Sequence, residues 1–308
     1  MNIVFMGNPA FAVPSLKKLA ASNHDIISVV TNPPKPSGRG RKLVSTPVAA
    51  CAHELGLPVM EVDNLNSEKT IHNLQKLNAD VFAVVAYRIL PKVIIAIPAK
   101  GAINLHGSLL PKYRGAAPIQ WSLINGEAET GLTTFIIQPK VDTGKILMQK
   151  RMPINQNDNY GSLAEKMSHT GAALLIKTID EFENGNLKSY AQDDSKTSSA
   201  PKISAGMTVI NWQQSAHVIH NLIRGLTPSP GCRTLFSGKR LKIIKSNFTK
   251  ENSALKKGVI SNIEKESFSI QTYSGQLIVM EVQLEGKRSM NAGDFLRGVQ
   301  LKVGTSLG

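Results

Sequence analysis

The residues best suited to chemistry lie in a short apolar run, GAINLHG, that spans residues 101–107. Asn104 and His106 stand two positions apart in it. In a β-strand their side chains would project from the same face, because alternate residues of a strand point the same way. An amide donates hydrogen bonds and an imidazole exchanges protons, so the pair resembles a site at a strand end. The ordinary alternative is a turn asparagine and a hydrogen-bonded core histidine.

A third residue, Asp142, lies in the segment PKVDTG between two strand-like runs, residues 132–138 and 145–152. Asp-Thr-Gly between two strands is an ordinary turn signal, because Asp bonds its own backbone and Gly accepts a positive φ. By itself this pattern does not assign Asp142 to a site.

The segment INLHGSLLPKYRGAAPIQWSLINGEAETG, followed by VDTG, resembles the folate-dependent formyltransferases, and among them the branch that acts on methionyl-tRNA. The resemblance covers nearly the whole chain. It implies that Asn104, His106 and Asp142 form a catalytic triad for transfer of a formyl group from 10-formyltetrahydrofolate to the amine of initiator methionyl-tRNA. Asn104 and His106 would donate hydrogen bonds to a tetrahedral oxyanion, and Asp142 would orient the imidazole.

The turn SLLP after this pair is the second part of the implied site. The resemblance places Ser108, Leu109, Leu110 and Pro111 against the folate, with main-chain groups bonded to the pterin. The residue types agree, since free N–H and C=O groups of a turn satisfy a flat heterocycle and leucines offer an apolar wall. No cluster of metal-ligating residues is visible in the sequence, so we expect no metal.

A basic stretch, NPPKPSGRGRKLVSTP, follows the second strand-like run. Its proline, glycine and basic residues fit no packed element and predict a surface loop. Its four cations either contact phosphates or are merely solvated. The loop resembles an insertion that reaches the tRNA acceptor arm in the methionyl-tRNA branch and that other folate formyltransferases generally lack. The resemblance therefore implies four tRNA-binding residues: Lys35, Arg39, Arg41 and Lys42.

Two positions depart from this resemblance. Asn8, after Gly7, stands where the family usually has Thr or Ser, so we expect a different hydrogen bond in that turn. Arg88, in AYRILP, stands where many members have a glycine and one more residue, so we expect a differently shaped wall of the folate pocket. The first turn also lacks the later glycines of GxGxxG, which argues against a dinucleotide site.

Composition sets the broad class of the protein. The 308 residues carry a formal net charge of +14, and residues 205–308 hold +8 of it, with 14 Lys and Arg against 6 Asp and Glu. This excess suggests a polyanionic partner, although a surface charge that serves solubility also explains it. The chain has no apolar run of ~18 residues that would span a membrane. With two cysteines in no metal-ligand spacing, Cys51 and Cys232, we expect reduced thiols in a cytoplasmic protein. We also expect a monomer.

Strand-like and helix-like runs alternate through the first part of the chain. This pattern predicts an α/β catalytic domain, with a doubly wound and mostly parallel sheet, over residues 1–190. Polar and small residues at 191–206 indicate a linker. Five short strand-like runs within residues 207–308 predict a smaller OB-like β-barrel, a fold often used to bind nucleic acids. The resemblance implies that this basic domain binds tRNA.

Two other functions stay open. A formyltransferase for another amine, such as glycinamide ribonucleotide or a nucleotide-linked amino sugar, would keep the triad without needing a basic second domain. A non-catalytic RNA-binding protein on the same scaffold would have no need of Asn104, His106 and Asp142 together. An assay of formyl transfer to all three amines separates these functions.

Overall fold

The computed structural model describes residues 1–37 and 40–308, and it divides into two compact units. The first unit comprises Met1–Pro118, Thr130–Pro153 and Ala164–Pro201. The second comprises Ile119–Glu129, Ile154–Leu163 and Lys202–Gly308. Two short segments from within residues 1–190 therefore belong to the second unit, which the linear division of the sequence did not anticipate.

The first 183 residues contain nine strands and six α-helices among the described residues. The strands are β1 (Asn2–Gly7), β2 (Asp25–Thr31), β3 (Lys35–Ser37), β4 (Lys42–Val44), β5 (Val59–Glu61), β6 (Val81–Val85), β7 (Ala102–His106), β8 (Glu129–Ile136) and β9 (Ile146–Pro153). The helices are α1 (Val13–Ala20), α2 (Pro47–Glu54), α3 (Glu68–Lys76), α4 (Lys92–Ile95), α5 (Pro118–Ile124) and α6 (Tyr160–Glu183).

Seven of these strands form one sheet in the order β5-β2-β1-β6-β7-β8-β9. The pairs from β5 to β7 are parallel, and β8 runs antiparallel to β7. The chain winds outward in both directions from β1 and β6, so the predicted doubly wound, mostly parallel sheet is confirmed. In such a sheet, ligands bind where the carboxyl ends of the strands meet near this reversal.

The core of the first unit follows from its strand sequences. All five residues of β6, VFAVV, are at most 2% exposed, as expected for a parallel strand covered on both faces. Two helices begin at residues whose side chains cap them: the Thr46 hydroxyl accepts from the Ala49 N–H, and the Ser67 hydroxyl from the Thr70 N–H. These local signals fix the ends of α2 and α3.

The basic stretch differs from the loop that its composition predicts. β3 and β4 pair as a short antiparallel hairpin outside the main sheet, with Lys35 opposite Val44. Arg39 lies outside the described residues. The pairing shows that two extended stretches of a proline- and glycine-rich segment still form a short ladder.

The second unit contains α7 (Ala216–Leu226), β10 (Cys232–Phe236), β11 (Lys239–Thr249), β12 (Ile260–Ile263), β13 (Phe268–Gln271), β14 (Gln276–Leu284), β15 (Met290–Asn291) and α8 (Ala292–Gly298). The ladders are antiparallel in the order β10-β11-β14-β13-β12, with β15 on β14. Aromatic and aliphatic side chains fill its own core, with Phe268 and Phe295 at 2% exposure or less. All five predicted strands are present.

Both cysteines are free thiols, and both are buried. Among the described residues, no helix is long and apolar enough to cross a membrane.

Candidate active site

Asn104 and His106 lie on β7 and end it at the carboxyl edge of the parallel sheet. Asn104 pairs with Val84 of β6 on one side and with Phe135 of β8 on the other, and His106 pairs with Thr133. This register puts both side chains on one face of the strand. His106 is 6% exposed and Asn104 is half-buried. Within residues 1–37 and 40–308, the Asn104 amide makes no side-chain hydrogen bond, so its N–H groups are available to a ligand.

The His106 ring is held on both sides. Its Nε2 lies 2.9 Å from the Tyr113 carbonyl oxygen, which can only accept, so Nε2 carries a proton and donates it. Its Nδ1 faces the Asp142 Oδ2 at 3.8 Å, beyond hydrogen-bond distance. The edge of the ring meets Phe135, with ring centroids 6.4 Å apart. Nδ1 is therefore the ring atom left to exchange a proton beside a carboxylate.

Asp142 reaches this position through an unusual backbone conformation. Asp142 itself takes the left-handed region at φ 52°, whereas the sequence pattern suggested that the glycine of Asp-Thr-Gly would do so. Gly144 serves another purpose, because a Cβ there would overlap the Ile136 carbonyl. The Asp142 Oδ2 accepts the Gly115 N–H at 2.8 Å. Asp142 is thus a positioned carboxylate and not only a turn residue.

Gln192 lies in the segment that the sequence indicated as a linker. Its side chain forms hydrogen bonds with the turn that contains Asp142. Its Nε2 donates to the carbonyls of Asp142 and Gly144, both at 2.8 Å. Its Oε1 accepts from Arg114 Nε at 3.0 Å and Nη2 at 2.7 Å. One amide therefore ties the Asp142 turn to the chain that follows the SLLP turn.

The rest of this segment packs in the same way. The Ser198 carbonyl and hydroxyl accept from the main-chain N–H groups of Arg114 and Tyr113, both at 2.9 Å. The Ala200 N–H donates to the Arg114 carbonyl at 2.7 Å. Residues 191–201 therefore belong to the wall of the site. Sequence reasoning missed them because their small polar composition is that of a linker.

Two side chains that sequence reasoning also missed form hydrogen bonds with the SLLP turn. The Thr133 hydroxyl donates to the Ser108 carbonyl at 2.7 Å and accepts the Leu110 N–H at 3.1 Å. The Gln149 Nε2 donates to the Leu110 carbonyl and to the Thr133 hydroxyl, both at 2.9 Å. Thr133 and Gln149 lie on the neighbouring strands β8 and β9, which contain other polar residues, so the sequence pattern did not single them out.

These bonds reduce the number of main-chain groups of the SLLP turn that can form hydrogen bonds with a ligand. The carbonyls of Ser108 and Leu110 and the N–H of Leu110 are already bonded inside the protein, and the Leu109 carbonyl accepts the Lys112 N–H at 3.1 Å. The turn is a rigid platform, with Ser108 and Leu110 at most 3% exposed and Leu109 and Pro111 half-buried. Folate binding at these four residues stays a prediction.

The two departures from the family pattern lie at the carboxyl ends of β1 and β6. The Asn8 Oδ1 accepts from the Thr31 hydroxyl at 3.1 Å and from the Asn32 N–H at 2.9 Å, so Asn8 joins the ends of β1 and β2. It thereby anchors the start of the basic hairpin.

Arg88 closes the other side of the same sheet edge. Its guanidinium donates to the carbonyls of Val62 and Asp63, both at 2.6 Å, and to the Tyr87 hydroxyl at 2.7 Å. Burial raises the pKa of Tyr87, so this hydroxyl remains a neutral partner. Arg88 therefore fixes the segment after β5 to the end of β6.

The basic hairpin exposes its cations. Lys35, Arg41 and Lys42 are exposed, and none of them forms an ion pair with a residue of the described ranges. Leu43, which follows Lys42, is 72% exposed. The three described members of the predicted tRNA-binding set are thus free to meet phosphates.

Among the described residues, no group of three or more His, Cys, Asp or Glu side chains could hold a metal ion.

Two family models match the chain. The model described as formyl transferase matches residues 1–179, and the model of the formyl transferase C-terminal domain matches residues 202–300. The chain is similar over its full length to methionyl-tRNA formyltransferases. That of Pelotomaculum thermopropionicum is 43% identical over 100% of this chain and 99% of the relative, and that of Lachnospira eligens is 41% identical over 100% of both.

Solved structures of formyltransferases share the fold. A sugar 3N-formyltransferase solved in the presence of dTDP and 5-N-formyl-THF superposes with a TM-score of 0.68, at 23% identity, over 94% of this chain and 99% of that one. A glycinamide ribonucleotide transformylase from Symbiobacterium toebii gives a TM-score of 0.53 at 17% identity, over 63% of this chain and 94% of that one. With both family models matched and full-length relatives above 40% identity, the chain belongs to the methionyl-tRNA formyltransferases of the formyl transferase family.

Proposed function

We propose that this chain transfers the formyl group of 10-formyltetrahydrofolate to the α-amino group of methionine on initiator tRNA. The observation that carries the proposal is the grouping of the Asn104 amide, the His106 ring and the Asp142 carboxylate at one sheet edge. The full-length similarity to methionyl-tRNA formyltransferases supports the acceptor. Since charged initiator tRNA is used where translation begins, we propose that the reaction takes place in the cytoplasm.

Three side chains have separate roles in the reaction. When bound, the folate supplies an activated formyl group. The free Asn104 amide donates to the formyl oxygen, where negative charge develops, and one such donor is typically worth ~3 to 4 kcal/mol. His106 takes the proton of the attacking amine on Nδ1, because Nε2 is engaged by the Tyr113 carbonyl. It then gives this proton to the folate nitrogen as the bond from that nitrogen to the formyl carbon breaks. Asp142, 3.8 Å from Nδ1, stabilises the charge that the ring acquires.

The residues near the turn fit a flat heterocycle mainly through apolar contact. Leu109 and Pro111 present a rigid surface, because Thr133 and Gln149 hold the turn beneath them. Ile89, which follows the carboxyl end of β6, is 72% exposed and adds apolar surface at the same sheet edge. The formyltransferase of the same fold that was solved with 5-N-formyl-THF supports a folate donor.

The phosphates of the acceptor tRNA would contact the basic hairpin. Lys35, Arg41 and Lys42 have no intramolecular ion pair to break in the described chain, and Arg39 adds a cation to the same stretch. Neutralising phosphates releases counterions, so binding should weaken as salt rises.

The deciding experiment compares amines. Formyl transfer from 10-formyltetrahydrofolate is measured with charged initiator tRNA, glycinamide ribonucleotide and a nucleotide-linked amino sugar. We expect the highest kcat/KM with tRNA and a loss of about two orders of magnitude or more in His106→Ala. His53→Ala, which changes an exposed histidine, is the matched control. A higher kcat/KM with either small amine would refute the tRNA assignment, and full activity of His106→Ala would refute the triad.

A further inference from the structure

The second unit contains a cavity of about 620 Å³, which none of the residues of the proposed active site lines. Strands β10, β11 and β14 form its floor, and three cations and one carboxylate lie in its wall: Arg233, Arg240, Lys242 and Glu285. Its volume is that of a small-molecule site. The cationic excess indicates an anionic ligand.

Strand register sets two of these cations side by side. Arg233 of β10 is directly opposite Lys242 of β11, and Lys242 is directly opposite Gln283 of β14. Directly opposite residues of an antiparallel pair project to the same face and interact, and two like charges in that relation destabilise the sheet. An anion between Arg233 and Lys242 would remove this repulsion.

The three cations of the cavity differ in the hydrogen bonds and ion pairs that they form within the protein. Arg240 donates to Glu285, with Nε 3.0 Å from Oε1, so the carboxylate compensates that cation. The Lys242 Nζ donates to the Pro230 carbonyl at 3.0 Å, which orients its ammonium and leaves it two donors. The Arg233 guanidinium has neither a hydrogen bond nor an ion pair with any residue in the described ranges. Arg233 and Lys242 are therefore the groups available to a ligand.

The remaining wall combines apolar and polar residues. Pro230 and Leu284 add apolar surface, and polar side chains such as that of Gln283 lie beside them. Guanidinium and ammonium groups bind phosphate, and apolar surfaces accept the flat face of a base. We propose that the cavity binds a nucleotide, with its phosphate between Arg233 and Lys242. The nucleotide is either free or part of the tRNA, and the second source rests on the proposed function.

The test uses four full-length variants. Arg233→Gln removes a guanidinium that has no intramolecular partner within the described ranges, and Arg233→Lys keeps its charge. Lys242→Gln removes the opposite cation. Lys245→Gln is the matched control, because Lys245 is an exposed cation of β11 that does not line the cavity.

Adenosine monophosphate is titrated calorimetrically into each protein, and KM for charged initiator tRNA is measured at two salt concentrations. We expect Arg233→Gln and Lys242→Gln to weaken at least one of the two by about tenfold, Arg233→Lys by about threefold at most, and Lys245→Gln by less than about twofold.

Weaker binding in the adenosine monophosphate titration identifies a free nucleotide, and an effect confined to KM for tRNA identifies the tRNA. If Arg233→Gln and Lys242→Gln match Lys245→Gln in both measurements, the proposal is overturned. A wild-type protein that forms no formylated tRNA refutes the proposed function, while the titration still tests the cavity.

Discussion

The carboxylate of Asp142 has two roles, as a hydrogen-bond acceptor and as a negative charge, and one substitution can separate them. Its Oδ2 accepts the Gly115 N–H at 2.8 Å and faces His106 Nδ1 at 3.8 Å. Asn at this position keeps an oxygen for the Gly115 N–H and loses the negative charge. The pair of variants Asp142→Asn and Asp142→Ala therefore distinguishes electrostatics from positioning.

We predict that Asp142→Asn lowers kcat by about two orders of magnitude, because the ring would acquire its proton without a facing carboxylate. Thermal unfolding should change little, since the bond from the Gly115 N–H remains. Asp142→Ala should lose as much activity and also some stability. Asp25→Asn, an exposed carboxyl of β2, serves as the control. Near-normal kcat in Asp142→Asn would remove the charge from the mechanism.

The segment 191–201 acts on the site through Gln192. Its amide donates to the carbonyls of Asp142 and Gly144 and accepts from Arg114. Gln192→Glu keeps the acceptor for Arg114 and loses both donors. This variant therefore isolates the two bonds that hold the Asp142 turn.

We predict that Gln192→Glu and Gln192→Ala both lower kcat by about tenfold, because a small displacement of a catalytic group costs rate rather than binding. KM for tRNA should stay within about twofold, a split that general destabilisation would not produce. Gln156→Ala, at an exposed position, is the control. If Gln192→Glu is as active as the wild type, residues 191–201 do not position the carboxylate.

A half-buried histidine, His220, makes the packing of α7 on β11 sensitive to acid. Burial, the positive charge of Arg224 and the neighbouring His217 lower the pKa of His220 to about 4. Its Nδ1 lies 3.1 Å from the Ser246 hydroxyl, and its ring packs on Phe248 with centroids 5.5 Å apart. His220 is therefore neutral in the folded protein at pH values where it is charged in the unfolded chain.

This difference predicts the sign of the pH dependence. Between about pH 6.5 and 4 the unfolded chain binds the extra proton, so the free energy of unfolding falls as the pH falls. We predict that His220→Gln reduces the drop in the unfolding midpoint between pH 7 and pH 5, measured by circular dichroism. His53→Gln should leave the drop unchanged. An equal drop in all three proteins would show that His220 does not control the acid response.

The distribution of charge over the molecule governs its encounter with tRNA. The exposed cations of the hairpin and the +8 balance of residues 205–308 both favour a polyanion. Truncation tests this poorly, because Ile119–Glu129 and Ile154–Leu163 belong to the second unit and would be left without it. Substitutions in the full chain avoid this difficulty.

We predict that Arg41→Ala combined with Lys42→Ala raises KM for tRNA and flattens the slope of log KM against log salt by roughly one unit for each phosphate that the protein no longer neutralises. Affinity for folate should not change. The control removes two exposed lysines of α3, Lys69 and Lys76, and so has the same net charge. Equal effects of the two double variants would mean that net charge, and not the hairpin, controls binding.

Local patterns in the sequence determined much of this protein. Alternation put Asn104 and His106 on one strand face, continuous apolar runs identified the buried parallel strands, and Thr46 and Ser67 marked helix starts. Each of these features depends on residues within a few positions of one another, where side-chain periodicity and backbone preferences act directly. The full-length relatives confirm the family resemblance that the residues around His106 carry.

Only the tertiary structure decided which distant residues meet. It joined His106 to the Tyr113 carbonyl and left Nδ1 facing Asp142, and it brought Gln192 of a linker-like segment onto the Asp142 turn. It likewise set Arg233 opposite Lys242. These contacts depend on sheet order, strand register and hydrogen bonds between separate segments. The periodicity of a single segment does not predict these contacts. Each of the two residues fits the pattern of its own segment whether or not the other residue is present.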